Sequence, residues 1–113
     1  MENRKRKRLM LTWYEKIYVG NTAKKNETKI RRKLDQGKFV PGVYLITMAS
    51  NPANNLDIIG TAFLKQKAVY ERCPMVVGMA KGYEEALELV QQITEDVLAQ
   101  TGDAGIRNFF LNG

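Results

Sequence analysis

The residues that most constrain the fold are 42–49, Gly-Val-Tyr-Leu-Ile-Thr-Met-Ala, an almost unbroken apolar run near the middle of the chain. Its length suits a strand, and apolar and polar residues do not alternate along it, so both of its faces must be covered. A second run of the same kind, Met-Val-Val-Gly-Met-Ala, occupies residues 75–80 and is reached through Cys73-Pro74. Two strands buried on both faces need helices to cover them, which places the chain in the α/β class.

The surrounding sequence supplies those helices. Residues 83–100 carry Ala86, Leu87, Val90, Ile93, Val97 and Leu98 at three- and four-residue spacing, with Gly102 placed to terminate them. A shorter helix is expected over residues 27–36, capped by Asn26 or Thr28 and ended by Gly37, with only Ile30 and Leu34 as its apolar stripe. Between the two apolar runs, Ser50-Asn51-Pro52 has the chemistry of a helix start, and Leu56, Ile59, Ala62 and Phe63 give a stripe ending near Gln66. Gly60 weakens that helix by about 1 kcal/mol relative to alanine.

The resulting order is β-α-β-α, with residues 42–49 and 75–80 as parallel central strands joined by a right-handed crossover. The expected architecture is a small two-layer or three-layer sandwich. Two strands leave open edges, so flanking strands must come from the termini or from a second subunit, and a homo-oligomer is expected. Residues 9–19 alternate partly as a strand (Leu9, Leu11, Trp13) and partly as a helix (Trp13 with Ile17, Tyr14 with Tyr18), and are read as extended. Ile106, Phe109, Phe110 and Leu111 read as an edge strand or a docking tail. With 113 residues there is room for one domain, assigned to residues 9–113, after a basic arm over residues 1–8 that is expected to be disordered.

Several function classes are poorly served by the composition. The chain has no histidine and one cysteine, which removes the commonest general base, the commonest transition-metal ligand and any internal disulfide. No metal, no cofactor and no catalytic residue is assigned, and the expectation leans away from an enzyme. The apolar segment after the first basic run breaks at Glu15-Lys16, too short for a secretory or membrane-spanning segment, so a cytoplasmic location is expected. Leu45 to Ile59 contains a Ser-Asn-Pro that resembles the strand-to-helix junction of lactate and malate dehydrogenases over fewer than a dozen residues. The glycine fingerprint and catalytic histidine of those enzymes are missing, and turn and cap chemistry accounts for the tripeptide.

Charge is the one uneven property. Residues 1–40 hold 13 Lys and Arg against 4 Asp and Glu, whereas residues 41–113 hold 5 against 8. The excess lies in Arg4, Lys5, Arg6, Lys7 and Arg8 and in the helix bearing Lys29, Arg32 and Lys33, which makes these eight the candidate contacts to a nucleic-acid backbone. Trp13, Tyr14 and Tyr18 lie close enough in sequence to be considered for stacking on bases, though aromatic residues more often belong to a core. A second candidate site is a ligand crevice beyond the carboxyl ends of the two parallel strands, formed by Ser50, Asn51, Asn54 and Asn55 on one side and Lys81 and Tyr83 on the other. The functions weighed are therefore nucleic-acid association, small-ligand binding or catalysis in that crevice, and a structural interaction module.

Overall fold

A computed structural model describes residues 10–51, 53–102 and 105–112. Among them are four strands and five α-helices. In chain order these are β1 (Trp13–Val19), α1 (Asn21–Lys24), α2 (Glu27–Asp35), β2 (Val43–Met48), β3 (Leu56–Gly60), α3 (Lys67–Glu71), β4 (Val76–Lys81), α4 (Tyr83–Thr101) and α5 (Ile106–Asn112), with a 3-10 turn at Thr61–Lys65. The strands form one mixed sheet in the order β1-β4-β2-β3. The α/β class and the central position of the two apolar runs agree with the sequence.

Their relative direction does not. β2 and β4 are neighbours but antiparallel, with Val43 opposite Lys81 and Ile46 opposite Gly78. The cause lies between them, where the expected helix from Asn51 is instead a reversal followed by a strand. Asn51 Oδ1 accepts the Ala53 N–H at 2.9 Å, and the Asn54 N–H returns to the Asn51 carbonyl at 3.0 Å. Asparagine thus caps a turn here rather than a helix, as its short acceptor allows. The β-branched pair Ile58-Ile59 then favours an extended chain, and β3 runs back antiparallel along β2. The polypeptide crosses over through the 3-10 turn and α3, so β4 runs with β3 and against β2. The parallel neighbours are β4 and β1, the latter being the flanking strand expected from residues 9–19.

Two apolar clusters lie on opposite faces of the sheet, as strand alternation requires. Val43, Leu45, Val76 and Met79 point to the face where Ile30 and Leu34 of α2, Leu64 and Tyr70 close the core. Ile46, Met48, Val77 and Ala80 point to the other, under Ala86, Leu89, Ile93 and Val97 of α4. The same strand supplies both Val77 and Gly78 to the α4 side because the register with β2 slips there. The last segment is a helix rather than an edge strand. Ile106 and Phe110, four residues apart, are both buried, and Phe110 meets Tyr14 edge-on with ring centres 4.8 Å apart. Helix α4 ends where expected, with Gly102 in the left-handed region at φ +80° and its N–H on the Leu98 carbonyl at 2.9 Å.

Candidate anion-binding groove

Helix α2 buries only Ile30 and Leu34, so most of its circumference is exposed. Helical spacing places Lys29 and Lys33 together on one flank, one position before each buried residue. That flank borders the start of β2 and the end of β4. In β4, Met79 belongs to the cluster under α2, and Lys81, two residues on, projects to the same face. The three lysines meet around a groove of about 160 Å³ whose remaining lining is Asn26, Ile30, Val40, Pro41 and Val43. Among the described residues the ion pair that forms on this helix is Arg31 with Glu27 at 3.5 Å, and no carboxylate lies within ion-pair distance of Lys29, Lys33 or Lys81. Three cations border this short apolar floor and, among the described residues, none forms an ion pair, an arrangement suited to an anion, although Lys81 also borders the recess lined by Glu84, Glu85 and Glu88.

The other basic residues divide. Arg32 is exposed on the far side of α2 from Ile30, away from the groove. Arg31 lies over the Trp13 ring at 4.7 Å. Arg4, Lys5, Arg6, Lys7 and Arg8 lie outside the described residues. The described chain begins beside α2, since the Leu11 N–H donates to Asp35 Oδ1 at 3.3 Å and Leu11 itself is buried.

The three aromatic residues considered for base stacking are engaged internally. Trp13 donates its indole N–H to Asp35 Oδ1 at 2.8 Å, and Arg31 covers its ring. Tyr14 and Tyr18 both contact Phe110 edge-on. Tyr18 also donates its hydroxyl to Asp96 Oδ2 at 2.8 Å, and its pKa is pushed up to about 12, first by burial and then by that carboxylate. Cys73 is likewise a packing residue, its thiol pushed up to about 11 by burial. A thiol with that pKa is almost wholly protonated near neutral pH and is a poor nucleophile.

The expected crevice is not assembled. Because β2 opposes β4, Ser50, Asn51, Asn54 and Asn55 lie at one end of the sheet, while Lys81 and Tyr83 lie at the other. At the first end the carbonyls of Ala49, Asn51 and Asn54 are held by Arg107 Nη2 at 3.2, 3.5 and 3.0 Å. At the second, Tyr83 packs edge-on against Tyr44 at 5.6 Å.

The carboxyl ends of the truly parallel pair, β1 and β4, are occupied by a protein carboxylate. Glu85 accepts the Thr22 N–H at 3.0 Å and the Lys81 N–H at 2.8 Å. A β-carbon on Gly20 would come within 2.3 Å of Glu85 Oε2, so only glycine admits this approach. Burial works to raise the Glu85 pKa, but the amides of Lys81, Thr22 and Ala23 outweigh it and hold the carboxyl below its ordinary value. A carboxylate of lowered pKa contributes stability above its unfolded-state pKa and loses that contribution as pH falls through the folded one. Glu85→Gln should therefore lower the melting temperature by a few degrees at neutral pH, with the deficit closing in acid below the ordinary glutamate range. Melting curves across pH check this, and a deficit of the same size in acid would show that the charge is not responsible.

What the sequence did not reveal is that Lys81 joins Lys29 and Lys33. The two-residue period of β4, placing Lys81 with Met79, carried the signal, but using it required the strand to be oriented correctly. Among the described residues no group of three or more His, Cys, Asp or Glu side chains is placed to hold a metal ion, and no helix is long and apolar enough to cross a membrane. No family model matches this chain, and neither does any curated protein or solved structure.

Proposed function

We propose that the protein binds a polyanion, the phosphate backbone of nucleic acid, on the face carrying Lys29, Lys33 and Lys81. The observation that carries this reading is the meeting of three cations at one groove, none of them in an ion pair among the described residues. Leu11 is fixed to Asp35 at the end of α2, and Arg4 to Arg8 precede it closely in sequence, which keeps them within chain reach of that helix. Phosphate contacts of this kind position a nucleic acid without reading its sequence. With Trp13, Tyr14 and Tyr18 engaged in internal contacts, base stacking adds little, so a duplex is bound at least as well as a single strand.

The test is fluorescence anisotropy of labelled duplex and single-stranded probes over a salt series, using the full chain. Lys29→Ala/Lys33→Ala/Lys81→Ala should weaken duplex binding equally for unrelated sequences and lower the magnitude of the log–log salt slope by about 2.7, roughly 0.9 for each lost phosphate contact. Removing residues 1–8 should lower it by about 4.5 if five phosphates are released. Absence of binding at low salt, or an unchanged slope in the triple variant, would refute the reading.

A further inference from the structure

Strand β3 closes one side of the sheet, and the ladder phase shows which of its groups face outward. The Ala49 N–H bonds to the Asn55 carbonyl at 3.1 Å, in register with the β2–β3 pairs. Bonded and non-bonded pairs alternate in an antiparallel ladder. Asp57 and Ile59 therefore turn their main-chain groups toward β2, while those of Leu56 and Ile58 point away from the sheet. Among the described residues no strand pairs with that side.

The two edges of the sheet are protected very differently. Natural edge strands are commonly blunted by charge, proline or irregular register. β1 has all but the proline: Glu15 and Lys16 are exposed at mid-strand, and its register with β4 shifts between Trp13 and Tyr18. β3 reads Leu-Asp-Ile-Ile-Gly, pairs with β2 without a shift and carries neither lysine nor proline. Its one charge is turned to the loop, where Asp57 Oδ2 accepts the Ser50 N–H at 3.4 Å.

An apolar strip on α4 borders the same edge. Glu85 and Asp96 lie on one flank of this helix and both reach toward β1, Glu85 through Thr22 and Asp96 through the Tyr18 hydroxyl. About half a turn around the helix, on the opposite flank, are Tyr83, Leu87, Val90, Thr94 and Leu98. That flank overlies the β2–β3 side, where Tyr83 meets Tyr44. It contains no charge, yet Tyr83 is 52%, Leu87 48% and Leu98 49% exposed.

We propose that this side is the interface of a two-fold homodimer. In it, β3 pairs antiparallel with β3 of a second copy and the two α4 flanks pack side by side. A second copy fits because the edge is self-complementary. With the two-fold axis at Ile58, the outward N–H and C=O of Ile58 meet their own counterparts, and Leu56 faces the counterpart of Gly60. Asp57 then lies opposite the counterpart of Ile59, so no two acids face each other across the axis. The sheet continues across both copies, and the Lys29–Lys33–Lys81 groove, on the opposite face from α4, stays open. The inference is thus independent of the polyanion reading.

Sedimentation velocity on the full chain over a wide concentration range tests it, together with hydrogen exchange. The expected species has twice the 12.9 kDa chain mass, and the Ile58 amide exchanges slowly in it. Leu87→Glu/Leu98→Glu changes only exposed positions. It should retain the circular dichroism of the wild type, raise the dimer Kd by at least roughly tenfold and make the Ile58 amide exchange quickly. A single-chain mass at every concentration would overturn the proposal, as would a dimer whose Ile58 amide exchanges as fast as a surface loop. Loss of folding in the double variant would leave the wild-type mass and exchange to decide.

Discussion

Ile93→Asp should abolish folding outright. Ile93 is fully buried in the middle of α4, against a cluster that includes Ile46, Val77, Leu89 and Val97. Losing the buried side chain costs about 2–3 kcal/mol. Placing an unpaired carboxylate in the same site, or protonating it to avoid the charge, costs several kcal/mol more. Together these approach or exceed the roughly 5–15 kcal/mol that stabilises a domain of ordinary size. The variant should show no cooperative thermal transition and no near-ultraviolet circular dichroism. Gln92→Asp, one residue away and exposed, should stay within about 0.5 kcal/mol of the wild type. If the Ile93 variant melted cooperatively, the burial of this helix face would be wrong.

The second large effect concerns the C-terminal helix. Phe110 is buried and touches Tyr14, Tyr18 and Phe109 edge-on, so it joins α5 to β1 beneath the end of α4. Phe110→Ala should cost about 3–5 kcal/mol, including the lost ring pairs. For a chain of this length that corresponds to a fall in melting temperature of roughly 10–20 °C. Arg107, which leaves the same helix to bind the carbonyls of the β2–β3 loop, should release them as α5 loosens, and exchange in that loop should quicken. Leu111→Ala is the control, because Leu111 is 60% exposed and should change little. Equal melting temperatures for the two variants would mean that α5 contributes nothing to the core.

The elements that were legible in the sequence are those whose stability is set by their own pattern. Helix α4 was readable because six apolar residues recur at helical spacing and a glycine stands at its end. The runs that became β2 and β4 were readable because burial on both faces removes alternation. Residues 56–60 were misread because Leu56, Ile59 and Phe63 fit a helix while Ile58 and Ile59 fit a strand, and the pairing offered by β2 decides between them. That single choice reversed the strand direction and took the expected crevice apart, since ligand placement at strand ends depends on which ends coincide. Charge fared differently. Lys29 and Lys33 could be grouped from spacing alone, but Lys81 reached them through a sheet register that no local pattern specifies. The helical reading of residues 106–112 was also available, in the four-residue interval between Ile106 and Phe110, but seven residues offer too few repeats to outweigh a strand.

The strand order also sets the sequence of events as the chain is made. β1 leaves the ribosome first, yet its pairing partner in the sheet is β4, so that Trp13 waits for Val76, about sixty residues later. β2 and β3 can form a hairpin as soon as both have emerged. During that interval Trp13, Tyr14, Ile17 and Tyr18 have no sheet to join, and a nascent chain cut short before β4 presents them to whatever it meets. Until β4 emerges, α2 offers Trp13 its partners Asp35 and Arg31, whereas Tyr14 and Tyr18 wait for Phe110.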